Sequence, residues 1–460
     1  MNREEFIKKI DEKLKLIRNE KGFTQDKMNY VNKEKKMITD IFRRIILGKK
    51  DKFMFKGYSQ SMVDFREIDE NTGIYIHIPF CKSICPYCPY NKVLYEKEKA
   101  KDYKNSLMKE IKMYKKYLKN KNITSLYIGG GTPTLLVDEL NEVINYIKDE
   151  FEFNGNIGIE IYPTEVSEEL LTKLKSLGVN LLSLGVQTFN DDKLKFLGRK
   201  YTVKDIENAL EKIEKFNFKC VDIDIMTNLP GQTIEDIEQD LRKVYSYNIH
   251  QLSIYPLIVF PMTPMDKIIR EKKLKRFSEL GERKILNIID KVSKECGYER
   301  SSIWTYGKSE DNRYTSVTRE SFIGIGAGAS SLFSNYFYLN TFNVEEYIKV
   351  LNENKLPINI VNTMSNREKM IFWIFWRCYD GIIDKNRFYK LFNKDIKKEF
   401  RLLFNFLKIF SMSKEEVDKI YLTELGRFAY HYVEKQYSIY YLNHLWESSM
   451  KKAWIDEISL

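Results

Sequence analysis

No apolar run in this 460-residue chain is long enough to cross a bilayer. The most apolar stretch, Met370 to Trp376, falls far short of the roughly 20 residues that a spanning helix needs. The start, Met1-Asn2-Arg3-Glu4-Glu5, lacks the apolar stretch of an export signal, so a cytoplasmic protein is expected. Cysteine is scarce. Of six in all, Cys220, Cys296 and Cys378 are scattered, which gives no disulfide framework and reads as core packing. No repeat at a solenoid period and no low-complexity tract is visible, so stacked-repeat architectures are excluded. Neither sign of charge is lacking: 76 basic and 65 acidic residues leave a formal +11. Spread along the chain, that excess reads first as a solvated, lysine-rich surface. A second reading is a pull on acidic partners, such as carboxylate-bearing substrates, nucleic acid or an acidic electron donor.

Hydrophobic residues make up 43% of the chain, enough for a globular core in one large domain and a smaller one. Residues 1–72 are charged and helix-prone, and Ile10, Leu14 and Ile17 recur at helical spacing. From Gly73 short apolar runs alternate with amphipathic ones. Strands are predicted over Ile74–Pro79, Ser125–Ile128, Ile157–Tyr162, Leu181–Val186, Val221–Met226 and Gln251–Tyr255. Helices are predicted between them, over Ala100–Leu118, Val137–Glu150, Ser167–Ser176, Val203–Phe216 and Ile234–Tyr247. This rhythm predicts parallel βαβ units in an α/β fold. Six strands are too few for a closed eight-stranded barrel, so a partial (β/α)6 barrel over 73–335 is expected, with its site at the carboxyl ends of the strands. Residues 336–460 read as a smaller, mainly helical domain. Its cluster Phe372, Trp373, Phe375 and Trp376 reads as packing between domains, or else as the lining of a flat pocket.

The strongest signal is Tyr75-Ile-His-Ile-Pro-Phe-Cys81-Lys-Ser-Ile-Cys85-Pro-Tyr-Cys88, three thiols in a loop after the first strand. Such a loop can wrap three thiolates around one [4Fe–4S] cluster. Four irons with three protein ligands leave one iron open. S-adenosylmethionine (SAM) can chelate there through its amino and carboxylate groups. The competing reading is structural zinc, which needs a closed tetrahedral set. The only local fourth ligand would be His77, which reads better as a hydrogen-bonded strand residue.

Polar residues recur where later strands end. Gly129-Gly130-Gly131-Thr132 follows the second strand, and its glycines let backbone groups approach a ligand closely, here the methionine end of SAM. Glu160 stands on the third strand, either for ribose hydroxyls or as half of a salt bridge. Gln187 ends the fourth, Arg199 could pair with the SAM carboxylate, and Asp224 lies on the fifth. Together these give about one polar residue per strand end around a shared mouth.

The set Cys-x3-Cys-x2-Cys, Gly-Gly-Gly-Thr-Pro-Thr, Gly-Val-Gln-Thr-Phe and Leu-Pro-Gly-Gln-Thr resembles the radical SAM family of oxygen-independent coproporphyrinogen III oxidases and heme chaperones, over about residues 73 to 340. The resemblance implies the radical SAM partial barrel, a cluster on Cys81, Cys85 and Cys88, and SAM contacts at Tyr75, Gly130, Gly131, Thr132, Glu160, Gln187, Arg199, Asp224 and Ile258. Some members bind a second SAM, and the matching positions are Tyr87 and Ser330. It implies an oxidoreductase that makes a 5′-deoxyadenosyl radical, a tetrapyrrole substrate decarboxylated oxidatively on its propionates, and a reductant such as flavodoxin or ferredoxin. No catalytic side chain is assigned. Two departures stand out. The oxidase branch carries Cys-Gly-Cys where this chain has Cys88-Pro89-Tyr90. The chaperone branch carries His-Asn-x-x-Tyr-Trp where this chain reads Arg313-Tyr-Thr-Ser-Val-Thr-Arg319. Methyltransferases of this kind, including heme-opening ones, and heme-binding chaperones are therefore alternatives. A zinc-stabilised nucleic-acid-binding protein, drawn from charge alone, is a rival from another class.

Overall fold

The computed structural model describes residues 53–308 and 320–460. The helix expected at Ile10, Leu14 and Ile17, and the segment Arg313 to Arg319, lie outside those residues. The six apolar runs form β1 (Asn71–Ile78), β2 (Asn122–Gly130), β3 (Glu152–Ile161), β4 (Val179–Gln187), β5 (Cys220–Thr227) and β6 (Gln251–Pro256). Between them run α1 (Lys97–Leu118), α2 (Val137–Glu150), α3 (Glu168–Ser176), α4 (Asp191–Phe196), α5 (Val203–Glu214) and α6 (Ile234–Tyr245). Their starts follow from local chemistry. Ser167, Thr202 and Thr233 accept backbone N–H bonds as N-caps, and the last two form reciprocal boxes with Asp205 and Asp236. On α6 the inward row is Ile237, Asp240, Leu241 and Val244, an apolar stripe interrupted by one acid.

Each strand pairs in parallel with the next, so the spatial order of β1 to β6 is their sequence order. That is the winding of a barrel, not of a doubly wound sheet. It stops at six. β6 is flanked by the antiparallel strand Thr305–Gly307, and β1 by the parallel strand Phe322–Ile325. The partial barrel is thus realised inside a 14-stranded sheet.

The chain divides into two compact units, and neither follows the expected boundaries. The larger spans Lys52–Ser365 with Ile439–Leu460. The expected cut at 335/336 falls inside a hairpin, where Ser330–Phe333 pairs with Tyr336–Asn340, and Ile358–Thr363 carries the sheet on. Nor is the described part of the N-terminal extension α-helical. Met54–Gly57 is a strand between Ile358–Thr363 and Glu457–Ser459, held there because Phe55 buries itself against Leu339, Ile360 and Ile458. The smaller unit, in its described part Asn366–Ser438, is mainly helical with one three-stranded sheet. Its aromatic cluster packs inside that unit: Trp373 lies 5.4 Å from Phe388, and Phe375 lies 5.4 Å from Tyr430 and 5.0 Å from Tyr437. Cys220 and Cys378 are core residues and Cys296 is a half-buried helix end. Among the described residues no helix is long and apolar enough to cross a membrane.

Candidate functional site

The cysteine loop is fastened at both ends before it reaches any ligand. Gly131 donates to the carbonyl of Ile78 (2.7 Å) and Thr132 to that of Phe80 (2.8 Å), tying the glycine run of β2 to the end of β1. Tyr95 donates to the carbonyl of Cys81 (2.9 Å), Cys88 to that of Cys85 (3.2 Å), and Met265 to that of Pro86 (3.0 Å). The three thiols are free and partly exposed. Burial pushes the Cys81 thiol up to about 12, with repulsion from Cys88 adding and a hydrogen bond from Thr132 opposing. Burial also raises Cys88. A group that binds thiolates must displace those protons, so loading the loop releases acid. His77 is not a fourth ligand. Its Nε2–H donates to the carbonyl of Asn91 (3.0 Å), and its Nδ1 accepts from the Tyr75 hydroxyl (2.8 Å). Burial holds its pKa down to about 4, so it stays neutral.

The glycines of β2 are there for close approach. Gly130 has φ +120, and a methyl on it would stand 2.7 Å from the His77 ring. One on Gly131 would stand 2.8 Å from Cys81 Sγ. The bare backbone beside them meets Glu160, which accepts from the Gly130 N–H (3.0 Å) and from the Tyr127 hydroxyl (2.8 Å). Burial raises Glu160 to about 7 despite both bonds, and Asp224 adds repulsion. Asp224 is raised to about 6 by its own burial, against a hydrogen bond from Ser183 (2.8 Å). These two carboxylates are neighbours, not half of a salt bridge each.

Arg199 lies among three tyrosine rings, its guanidinium carbon 5.4 Å from the centroid of Tyr162, 5.6 Å from Tyr87 and 5.7 Å from Tyr201. One Nη donates to the Tyr87 hydroxyl at 2.5 Å. The Nε–H has no partner among the described residues, and neither has the Oε1 of buried Gln187. Gln187 holds the left-handed φ of 72 at the end of β4, a conformation that costs a residue with a side chain of order 1–3 kcal/mol. What holds it is Asp240 of α6, which accepts from the Thr188 hydroxyl (2.7 Å) and the Phe189 N–H (2.8 Å) immediately after it. We expect Asp240→Ala to lower stability by about 1–3 kcal/mol for each donor left unpaired, measured by urea unfolding, and to weaken SAM binding with no loss of iron. Unchanged SAM affinity would show that Gln187 keeps its shape unaided.

Cys81, Cys85, Cys88, Tyr75, Gly130, Gly131, Thr132, Glu160, Gln187, Arg199 and Asp224 therefore stand around the carboxyl ends of β1 to β5. Tyr87 joins them through Arg199. Ile258 is half-buried just beyond β6. Ser330 begins the strand Ser330–Phe333, against Gly324, whose partner on β1 is Tyr75. Sequence reading missed Tyr127, Ser183, Tyr162 and Tyr201, which hold the charged groups. It also missed Asp222, two residues before Asp224, 1% exposed, accepting from Ser253 (2.8 Å) and raised by burial. The alternation Asp222-Ile-Asp224-Ile on a strand was a usable signal for a second inward carboxylate.

The residues present fit the groups expected. Three thiols share one loop, an unpaired cationic donor and an unpaired amide acceptor suit a ligand carrying carboxylate and amine, and two carboxylates suit hydroxyls. Among the described residues no three His, Cys, Asp or Glu side chains gather as a single-ion site. A cluster asks for less convergence, since each thiolate takes its own iron.

Residues 75–244 match the radical SAM superfamily. The heme chaperone HemW of Bacillus subtilis is 29% identical over 362 residues, covering 77% of this chain and 95% of its own. That of Buchnera aphidicola subsp. Schizaphis graminum is 34% identical over 264 residues, 56% of this chain and 69% of its own. Oxygen-independent coproporphyrinogen III oxidases are among the relatives too. The solved structure of coproporphyrinogen III oxidase (HemN) from Escherichia coli, described as a radical SAM enzyme, superposes with a TM-score of 0.71 at 20% identity, over 84% of this chain and 95% of that one.

Proposed function

Since the chain belongs to the radical SAM superfamily, in the family of the heme chaperones and oxygen-independent coproporphyrinogen III oxidases, we propose that it cleaves SAM on a [4Fe–4S] cluster and acts on a tetrapyrrole in the manner of the oxidases. Cys81, Cys85 and Cys88 would hold the cluster. When bound, the cluster would supply the one-electron reduction that cleaves SAM to methionine and a 5′-deoxyadenosyl radical. The protein's part is positional. Arg199 presents its free Nε–H, and Gln187 its free Oε1, to the amino-acid end of SAM. Glu160 and Asp224 present carboxylate oxygens to ribose. The backbone of Gly130 and Gly131 leaves room for the methionine portion, and the tyrosines around Arg199 keep water off it.

The observation that carries this reading is the pair of unpartnered buried atoms, Gln187 Oε1 and Arg199 Nε, at the same mouth as three free thiols. A second reading, a heme chaperone, is favoured by the names of the relatives at 29% and 34% identity.

One experiment separates the branches: anaerobic incubation with coproporphyrinogen III, a reductant and SAM deuterated in its methyl group. The oxidase reading expects carbon dioxide and 5′-deoxyadenosine, with no label in the porphyrin. Labelled product with S-adenosylhomocysteine would replace it with a methyltransferase using a second SAM near Tyr87 and Ser330. Tight heme binding with only traces of 5′-deoxyadenosine would replace it with the chaperone.

A further inference from the structure

We propose that Lys92 raises the reduction potential of the group held by the thiol loop, because its charge is the one at that loop that no carboxylate cancels. This rests on the radical SAM reading, which puts a [4Fe–4S] cluster on Cys81, Cys85 and Cys88. The lysine is built into the loop. Asn91 before it is buried, its carbonyl accepting from His77 (3.0 Å) and its side-chain amide donating to the carbonyls of Ala327 (3.0 Å) and Phe342 (2.9 Å). A methyl on Gly328 would stand 2.9 Å from Asn91 Nδ2, so the bare glycine is what lets this clamp close. Val93 after it donates to the carbonyl of Pro79 (2.7 Å). Fixed on both sides, half-buried Lys92 turns back over the loop. Its ammonium donates to the carbonyls of Cys88 (2.6 Å) and Tyr90 (3.0 Å).

Three cations stand at the thiols, and two are spoken for. Lys82 is exposed and paired with Glu165 at 2.8 Å. Arg199 lies among its tyrosines and, on the same reading, meets the carboxylate of SAM. Lys92 bonds only to neutral carbonyls among the described residues. Glu96, the nearest acid along the chain, lies 3.4 Å from Lys99 instead. After burial, Lys92 is the strongest influence on the Cys88 thiol, and it acts in favour of the thiolate. The sign of its effect on a cluster follows. Three thiolates outweigh the positive charge of an oxidised cluster core, and an added electron deepens the negative charge. A fixed cation stabilises the reduced state more than the oxidised one, so it raises the potential. The cluster then accepts an electron more readily and passes it to SAM with less driving force.

The test is an anaerobic redox titration of the cluster-loaded full chain without SAM, with dithionite as reductant and mediator dyes, followed by the paramagnetic signal of the reduced cluster. Lys92→Gln keeps a donor for the two carbonyls and removes the charge. It is expected to lower the equilibrium constant for one-electron reduction about tenfold, which is a fall of about 59 mV. The fall should shrink as salt rises, since the lysine is only half-buried. Lys92→Arg keeps the charge and should keep the wild-type potential. A loaded Lys92→Gln at the wild-type potential would overturn the proposal. So would a Lys92→Arg that falls as far as Lys92→Gln, since loop shape rather than charge would then be responsible. If Lys92→Gln loads no iron, Glu165→Gln decides. It leaves the thiol loop untouched and uncovers the charge of Lys82, so the same electrostatics require its potential to rise. No rise there would overturn the proposal. Failure of the radical SAM reading looks different: the wild type would then show no cluster signal to titrate.

Discussion

Changing any one of Cys81, Cys85 or Cys88 to Ala should leave a colourless protein that cleaves no SAM. Anaerobically prepared wild-type protein should be brown, with about four iron and four sulfide per chain. The expectation follows from how little redundancy the loop has. Its three thiols share one loop, whereas Cys220 is buried against Tyr127 and Leu181, Cys296 ends a helix, and Cys378 is buried in the core of the smaller unit. His77, the one nearby side chain that could substitute, has both ring nitrogens engaged by Asn91 and Tyr75. Each cysteine variant should still fold, since the loop is tied down by backbone bonds from Gly131, Thr132, Tyr95 and Met265 that no thiol makes. Far-ultraviolet circular dichroism close to wild type, alongside absent iron, is therefore expected. Cys220→Ala, Cys296→Ala and Cys378→Ala should keep both colour and turnover. Stoichiometric zinc without iron in the wild type would defeat the assignment.

The sequence was most legible where one physical rule dominated. Parallel strands buried on both faces are short apolar runs and amphipathic stretches between them mark helices, so β1 to β6 and α1, α2, α3, α5 and α6 could be placed from sequence, whereas the six-residue α4 could not. The thiol loop was legible because its chemistry needs one residue type at fixed spacing. The antiparallel strands were harder. Phe322–Ile325 and Ser330–Phe333 are four residues each, too short to show alternation, so the sheet's extension past β1 was hidden and the domain boundary was misplaced. Residues that act through others were hidden as well. Asp240 looks like any acid on an amphipathic helix until its partners, Thr188 and Phe189, are seen some fifty residues away in sequence. Tyr127 and Glu160 meet only because β2 and β3 are neighbours, which topology decides and local pattern does not.

SAM binding should depend on pH through Glu160, and Glu160→Gln should remove that dependence. The carboxyl accepts hydrogen bonds from Tyr127 and Gly130, yet burial lifts it from 4.5 to about 7. In the ligand-free protein the sign is unfavourable for the ionised form. Stability from this group is full below about pH 4.5 and is lost as pH rises through about 7. A ribose hydroxyl donating to the carboxylate reverses the preference, because it bonds better to the anion. Binding near neutral pH must then release a proton, and affinity should weaken by up to about tenfold for each pH unit below the raised value. Calorimetry in two buffers of different ionisation enthalpy reads the proton directly. Glu160→Gln keeps the shape: its Oε1 can still accept from Gly130, while Nε2 faces the Tyr127 hydroxyl, which can turn to accept. It should bind SAM about tenfold more weakly at pH 8, with a flat pH profile and no proton released. Glu160→Ala also strips Gly130 and Tyr127 of their acceptor. Loss of a charge-assisted bond worth about 1.5–3 kcal/mol predicts an affinity roughly ten- to a hundredfold lower, with iron content unchanged. If Glu160→Gln kept both the wild-type affinity and its pH profile, Glu160 would be no more than a support for the β2 glycines, and Asp224, raised to about 6, would become the residue to test for ribose.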